Sequence, residues 1–220
     1  MALSLGVSAQ PMYELPRINT LLRERPLDSK VICYSTAGAT LPYTENFDTP
    51  DVSTVLPAGW SVSDASATAA FTIQVNALSG ITAHSGKYYL VSGPDSRGNA
   101  RDAWAFSPAL SLEAGKPYYI ALYCFAPGYQ GVADQFEITV GSEASAAAQT
   151  LRLVDRTGEQ AEICTEWTKV EGVFTPETAG EYYFAIHHCT PAWTQGNAVG
   201  FDDFTVSSEP LVELPSVETY

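Results

Sequence analysis

The sequence predicts an all-β, antiparallel jelly-roll β-sandwich, and three observations carry that reading. From residue 41 onward, short alternating or aromatic-rich runs recur between Gly, Pro, Asn and Asp. No amphipathic helix interrupts them, so the crossovers that a parallel sheet requires are missing. The runs also outnumber the about seven strands in about 100 residues of an immunoglobulin-type Greek key, the runner-up architecture. With 220 residues the chain has room for one such domain and its flanking segments.

Residues 1–40 read as a leader or linker, with one strand expected at residues 30–34. Residues 1–10 form a short apolar stretch ending in Val7-Ser8-Ala9, which has the small-residue form of a secretory cleavage site. The basic start is missing, so the stretch reads either as a signal-peptide remnant or as an ordinary flexible terminus. Residues 41–207 form the domain. Within it Phe136, Ile138 and Val140 alternate with Gln135, Glu137 and Thr139, the pattern of a half-buried strand. Runs at 71–75, 88–92, 118–125, 150–154, 169–174 and 182–188 read the same way. Residues 208–220, with Pro210, Pro215 and three glutamates, read as a linker.

The last strand contains a break in phase. Val199 and Phe201 are apolar on one phase, Phe204 and Val206 on the other, and the change falls at Asp202-Asp203. A bulge there would turn an aspartate inward, and two carboxylates beside a core strand are costly unless they are paired or bind a cation. Glu45-Asn46-Phe47-Asp48 lies near the start of the domain, and in a jelly roll the first and last strands are commonly close. Calcium held between these segments would clamp the ends of the fold. The plainer alternative is an aspartate pair at an exposed strand edge.

Charge excludes several functions. There are 25 acidic and 11 basic residues, a formal net charge of −14, and from Val31 onward 7 basic residues face 22 acidic ones. Such a surface repels phosphate backbones and anionic headgroups, so neither nucleic acid nor an anionic membrane is an expected partner. No run of 18 apolar residues spans a bilayer.

Chemistry-bearing motifs are sparse. The chain has three histidines and no HExxH, and His187 and His188 are adjacent on a strand, so they face opposite sides. There is no GxSxG elbow, no phosphate-cradling GxxxxGK[ST] and no EF-hand loop, and no catalytic residue is assigned. Acidic loop ends at Asp95 and Asp102 enclose Arg97 and Arg101, which argues against a free-standing calcium loop. Four cysteines, Cys33, Cys124, Cys164 and Cys189, allow three full pairings. Cys124 and Cys189, near the ends of aromatic runs, are the first pair to consider, with free buried thiols as the alternative. Trp193, in a loop of Pro, Gln, Gly and Asn, and Tyr129, in a Pro-Gly-Tyr-Gln-Gly turn, are the aromatic residues expected to face a ligand.

An ordered set of motifs resembles the cleaved adhesin, or choice-of-anchor J, domain. The set runs from Leu41-Pro42-Tyr43-Thr44-Glu45-Asn46-Phe47-Asp48 through Leu56-Pro57-Ala58-Gly59-Trp60, His84-Ser85-Gly86 and Asp102-Ala103-Trp104 to Phe201-Asp202-Asp203-Phe204. The resemblance implies a non-catalytic, calcium-stabilised jelly roll of a secreted or surface-attached bacterial protein that binds a host protein, matrix or glycan. It implies Asp48, Asp202 and Asp203 as metal ligands, with Glu45 and Asp102 as further members. Ala103 stands where the family's second Asp is common, and His187 where an Arg is common. A carbohydrate-binding accessory module of a larger secreted hydrolase or peptidase is the alternative; a hydrolase and a structural spacer are weaker readings.

Overall fold

A computed structural model describes residues 38–48, 56–64, 72–74, 81–93, 98–192 and 198–211. The expected strand at 30–34, Cys33, residues 1–10 and Trp193 lie outside these residues.

The described residues form twelve strands. They are β1 (Tyr43–Glu45), β2 (Ser61–Asp64), β3 (Thr72–Gln74), β4 (Tyr89–Ser92), β5 (Ala103–Phe106), β6 (Leu110–Leu112), β7 (Tyr118–Ala126), β8 (Phe136–Gly141), β9 (Gln149–Arg156), β10 (Cys164–Phe174), β11 (Gly180–His188) and β12 (Val199–Ser207). The only helical turns among them are short 3-10 turns at Ala146–Ala148 and Gly158–Gln160. All strand pairs are antiparallel, as the absence of crossover helices requires.

Two six-stranded sheets result. The first runs β10-β7-β12-β4-β3, with β1 also on β12; the second runs β2-β5-β11-β8-β9, with β6 also on β11. Strand alternation turns one set of side chains into the space between them. Phe136, Ile138 and Val140 of β8 are buried, as are Ile120 and Leu122 of β7 and Phe201, Phe204 and Val206 of β12, all in one apolar cluster. Aromatic edges bridge the sheets: Phe136 meets Phe201 at 5.1 Å, and Phe204 takes contacts from Trp60 at 5.4 Å and Phe184 at 6.3 Å.

The cysteine pair expected from sequence does not occur. Cys124 points inward from β7, whereas Cys189 follows β11 on the phase of His187, which faces outward from the other sheet. The cysteine that shares the inner cluster with Cys124 is Cys164, on the neighbouring strand β10.

Candidate functional site

The phase break in β12 is where that strand changes partners along one edge. Val199–Phe201 pair with β4, while Phe204, Thr205 and Val206 pair with β1. On its other edge β12 stays with β7, but the register shifts between Asp202 and Thr205, and Asp203 has φ 49°. The expected bulge is therefore present, and it sits opposite a gap between the end of β1 and the start of β4.

Two loop segments fill the gap. Residues 46–48 leave β1, and residues 84–88 lead into β4. Their backbone N–H groups have no strand to pair with, and buried donors must be satisfied. Carboxylates do this. Asp48 Oδ1 accepts the N–H groups of Lys87 at 2.8 Å and Tyr88 at 2.9 Å. Asp202 Oδ2 accepts the N–H of Ser85 at 3.1 Å, and its Oδ1 accepts that of Asp203 at 2.8 Å. Asp203 Oδ1 accepts the Ser85 hydroxyl at 2.6 Å, and its Oδ2 lies 2.5 Å from His84 Nδ1. Glu45 Oε1 accepts the N–H of Phe47 at 2.9 Å.

Neighbouring groups fix this loop. Gly86 has φ +60°, and a Cβ there would lie 1.5 Å from Asp48 Oδ2, so only glycine allows the close approach. The His84 ring stacks on Tyr123 of β7, 3.6 Å between centroids, and the indole N–H of Trp167 donates to the carbonyl of Thr82 at 2.9 Å. Sequence reasoning singled out His84-Ser85-Gly86 only as part of a motif. The signal for its role is a glycine between polar residues just ahead of an aromatic strand.

Asp202 is fully buried, and among the described residues no cationic side chain is paired with it. Burial pushes its carboxyl up to about 7, backbone N–H groups partly opposing the shift and Asp203 adding to it. Burial likewise raises Glu45. Glu45 and Asp203, with Thr44, Asn46 and Thr205, line a cleft at this gap. The oxygens are hard donors of the kind calcium takes, but among the described residues no three Asp, Glu, His or Cys side chains close on one point.

Of the sequence-derived ligand set, Asp48, Asp202, Asp203 and Glu45 are thus brought to one gap, and Asp102 is not. Asp102 precedes β5 in the second sheet, where its Oδ1 accepts the indole N–H of Trp104 at 2.7 Å and lies 2.9 Å from His187 Nε2. Its place in a metal set is withdrawn, because its oxygen serves the outer face of the other sheet. His187 Nδ1 is 2.8 Å from Glu137, and the Trp104 ring stacks on His187 at 3.6 Å. The two adjacent histidines do face opposite ways: His188 is buried, its ring nitrogens 2.8 Å from the Ser92 hydroxyl and 2.9 Å from that of Thr190. Tyr129 is 41% exposed in a narrow hairpin, with mutual backbone hydrogen bonds to Val132 of 2.8 and 2.9 Å.

A frame of this kind is found in known structures. The K1 cleaved adhesin domain of Lys-gingipain from Porphyromonas gingivalis W83 matches with TM-score 0.58 at 15% identity, over 78% of this chain and 100% of that domain. The chain has the cleaved-adhesin fold. The K2 cleaved adhesin domain matches with TM-score 0.54 at 18% identity, over 77% of this chain and 99% of that domain. The K3 domain matches with TM-score 0.53 at 15% identity, over 75% and 96%. At such identities the likeness is one of fold. No family profile and no curated protein matches the sequence. The cleaved-adhesin fold brings the first and last strands together here, which is what places Asp48 beside Asp202 and Asp203.

The buried Asp202 carboxyl makes stability depend on pH. Its folded value lies above the unfolded one, so its contribution is fully present below about pH 4 and is lost as pH rises through about 7. In chelator, the wild-type stability minus that of Asp202→Asn is expected to fall steadily across this window. Denaturant melts at three pH values check it; a flat or rising difference would contradict the assignment.

Proposed function

We propose that the chain is a non-catalytic binding module of a secreted or surface-attached protein, presenting an apolar loop patch to a protein partner and held together at the β1/β4 gap by calcium. The observation that carries the binding reading is the hairpin patch. Tyr129 at 41%, Val132 at 44% and Ile163 at 43% are three of the five large apolar side chains left exposed among the described residues. They lie together, since a Cβ on Gly128 would meet the Val132 carbonyl at 2.3 Å and Ile163 Cγ1 at 3.2 Å. An exposed apolar group that includes a tyrosine suits protein recognition.

The described tryptophans weigh against glycan stacking. Trp60 and Trp104 are each 7% exposed, and Trp167 is engaged by Tyr89, Phe125 and His84. The net charge of −14 disfavours polyanionic glycans and favours a partner with basic groups around the contact. A non-catalytic reading is supported by both Ser-His-Asp groupings among the described residues: at the gap the Ser85 hydroxyl donates to Asp203 and not to His84, which is held by the other Asp203 oxygen. In the second grouping Ser92, His188 and Asp134 are all fully buried, so no substrate reaches the hydroxyl.

Calcium would be held by Asp48, Asp202 and Asp203 with Glu45, completed by carbonyl oxygens and water, since the ion takes about six to eight oxygens. It supplies the positive charge that a buried Asp202 otherwise lacks.

Two experiments test the proposal. In a binding screen against matrix proteins and glycans, wild type is expected to retain a protein partner and Tyr129→Ala to lose at least about tenfold in affinity, of the order of 1.4 kcal/mol. Retention of a glycan unaffected by this change would sink the hairpin reading. For the metal, calcium at about 100 times its dissociation constant should add about 2.7 kcal/mol to stability, and Asp203→Ala should remove the rise. Equal melting temperatures in calcium and in chelator would end the calcium reading.

A further inference from the structure

We infer that Cys124 and Cys164 form a disulfide that ties β10, the edge strand of the first sheet, to β7. The strand register carries the inference. Thr168 lies opposite Cys124 and Cys164 lies opposite Ala126, so four residue steps on β10 span two on β7. The two extra residues of this bulge leave the phase of β10 unchanged, so Cys164 stays on the inner face with Val170 and Phe174, on the same side as Cys124 and diagonal to it across the strand pair. Both side chains belong to the same buried cluster, at 0% and 6% exposure, and both carry free thiols in the structure.

Neither thiol has another cysteine in reach among the described residues. Cys189 faces outward from the second sheet, where its neighbours are Glu137 and Arg152, and burial pushes its thiol up to about 12. The cross-link would matter mechanically. β10 has β7 as its one ladder partner, and the bulge interrupts that ladder between 164 and 168. A covalent bond there fastens the weakest stretch of an edge strand and closes a long loop that includes β8 and β9.

Cys164 is the more accessible of the two thiols, at 6% against 0% exposure, which sets the order of the chemistry. The Cys164 thiolate attacks one sulfur of a small-molecule disulfide such as oxidised glutathione, forming a mixed disulfide and releasing one thiolate. Cys124 then gives up its proton and attacks the Cys164 sulfur, expelling the second thiolate. One protein S–S bond forms, two protein thiols are oxidised, and the added disulfide is reduced to two thiols.

The test uses the full chain, refolded and incubated in oxidised glutathione, alkylated under denaturant and mapped by mass spectrometry without reduction. A peptide pair joined through Cys124 and Cys164 is expected. The same link should persist in Cys189→Ser, and a dithiol reductant should lower the melting temperature of the oxidised chain by several degrees. The inference is overturned if Cys124 and Cys164 are both alkylated after refolding in the oxidant, or if either is joined to Cys33 or Cys189. The wild-type map decides the matter whether or not Cys164→Ser folds.

Discussion

β12 cannot pair continuously along one edge, because β4 occupies that edge at Val199–Phe201 and β1 occupies it beyond Asp202-Asp203. Between the two partners the chain must satisfy backbone N–H groups from two loops in a place with no strand to receive them. Asp48, Asp202 and Asp203 take that role, with a total of four backbone N–H groups and the Ser85 hydroxyl among the donors they accept. The arrangement has an electrostatic cost, since Asp202 is enclosed beside Asp203 without a cation of its own.

The aromatic core is seated on this gap. Phe47, between Asn46 and Asp48, is fully buried with φ 56° and meets Trp60 edge-on at 5.1 Å. Trp60 in turn packs against Phe204, the first inward residue after the bulge, and donates its indole N–H to the Tyr43 hydroxyl at 2.7 Å. Burial raises that phenol well above its ordinary range. Polar anchoring at the surface of the gap and apolar packing beneath it therefore share the same short segments. Moving the 46–48 turn would disturb both, whereas the Tyr129 hairpin lies on a different loop and is free to change without touching either.

Much of this was legible in the sequence, for local reasons. The strict alternation of β8 reports a strand and its core face directly, although Thr139 on the polar phase is buried as well, and the loss of phase at Asp202-Asp203 reports the bulge, because one added residue reverses every later side chain. The short strands β2, β5 and β6 are too brief to show a period that stands on its own; β5 and β6 are completed by the long strand β11, and β2 by β5. Long-range placement was the harder part. Asp102 looks like another ligand in an acidic motif, and only the sheet order puts it beneath Trp104 and His187. The cysteine pairing failed for a similar reason. How far along β7 Cys164 sits depends on a bulge within β10, and nothing in the local pattern at 164–168 reveals two extra residues. The role of Gly86 depends on the approach of Asp48 from 38 positions away and is likewise visible only in three dimensions.

The central claim is that Asp48 and the Asp202-Asp203 pair hold the 84–88 loop and thereby join the first and last strands. Residue-resolved hydrogen exchange on the wild type and on Asp48→Ala tests it most directly. The account predicts slow exchange at Lys87 and Tyr88 in the wild type, and fast exchange at both in the variant, while amides of β7 and β11 stay protected. Fast exchange at these two amides in the wild type, or protection that survives removal of the Asp48 carboxylate, would contradict it.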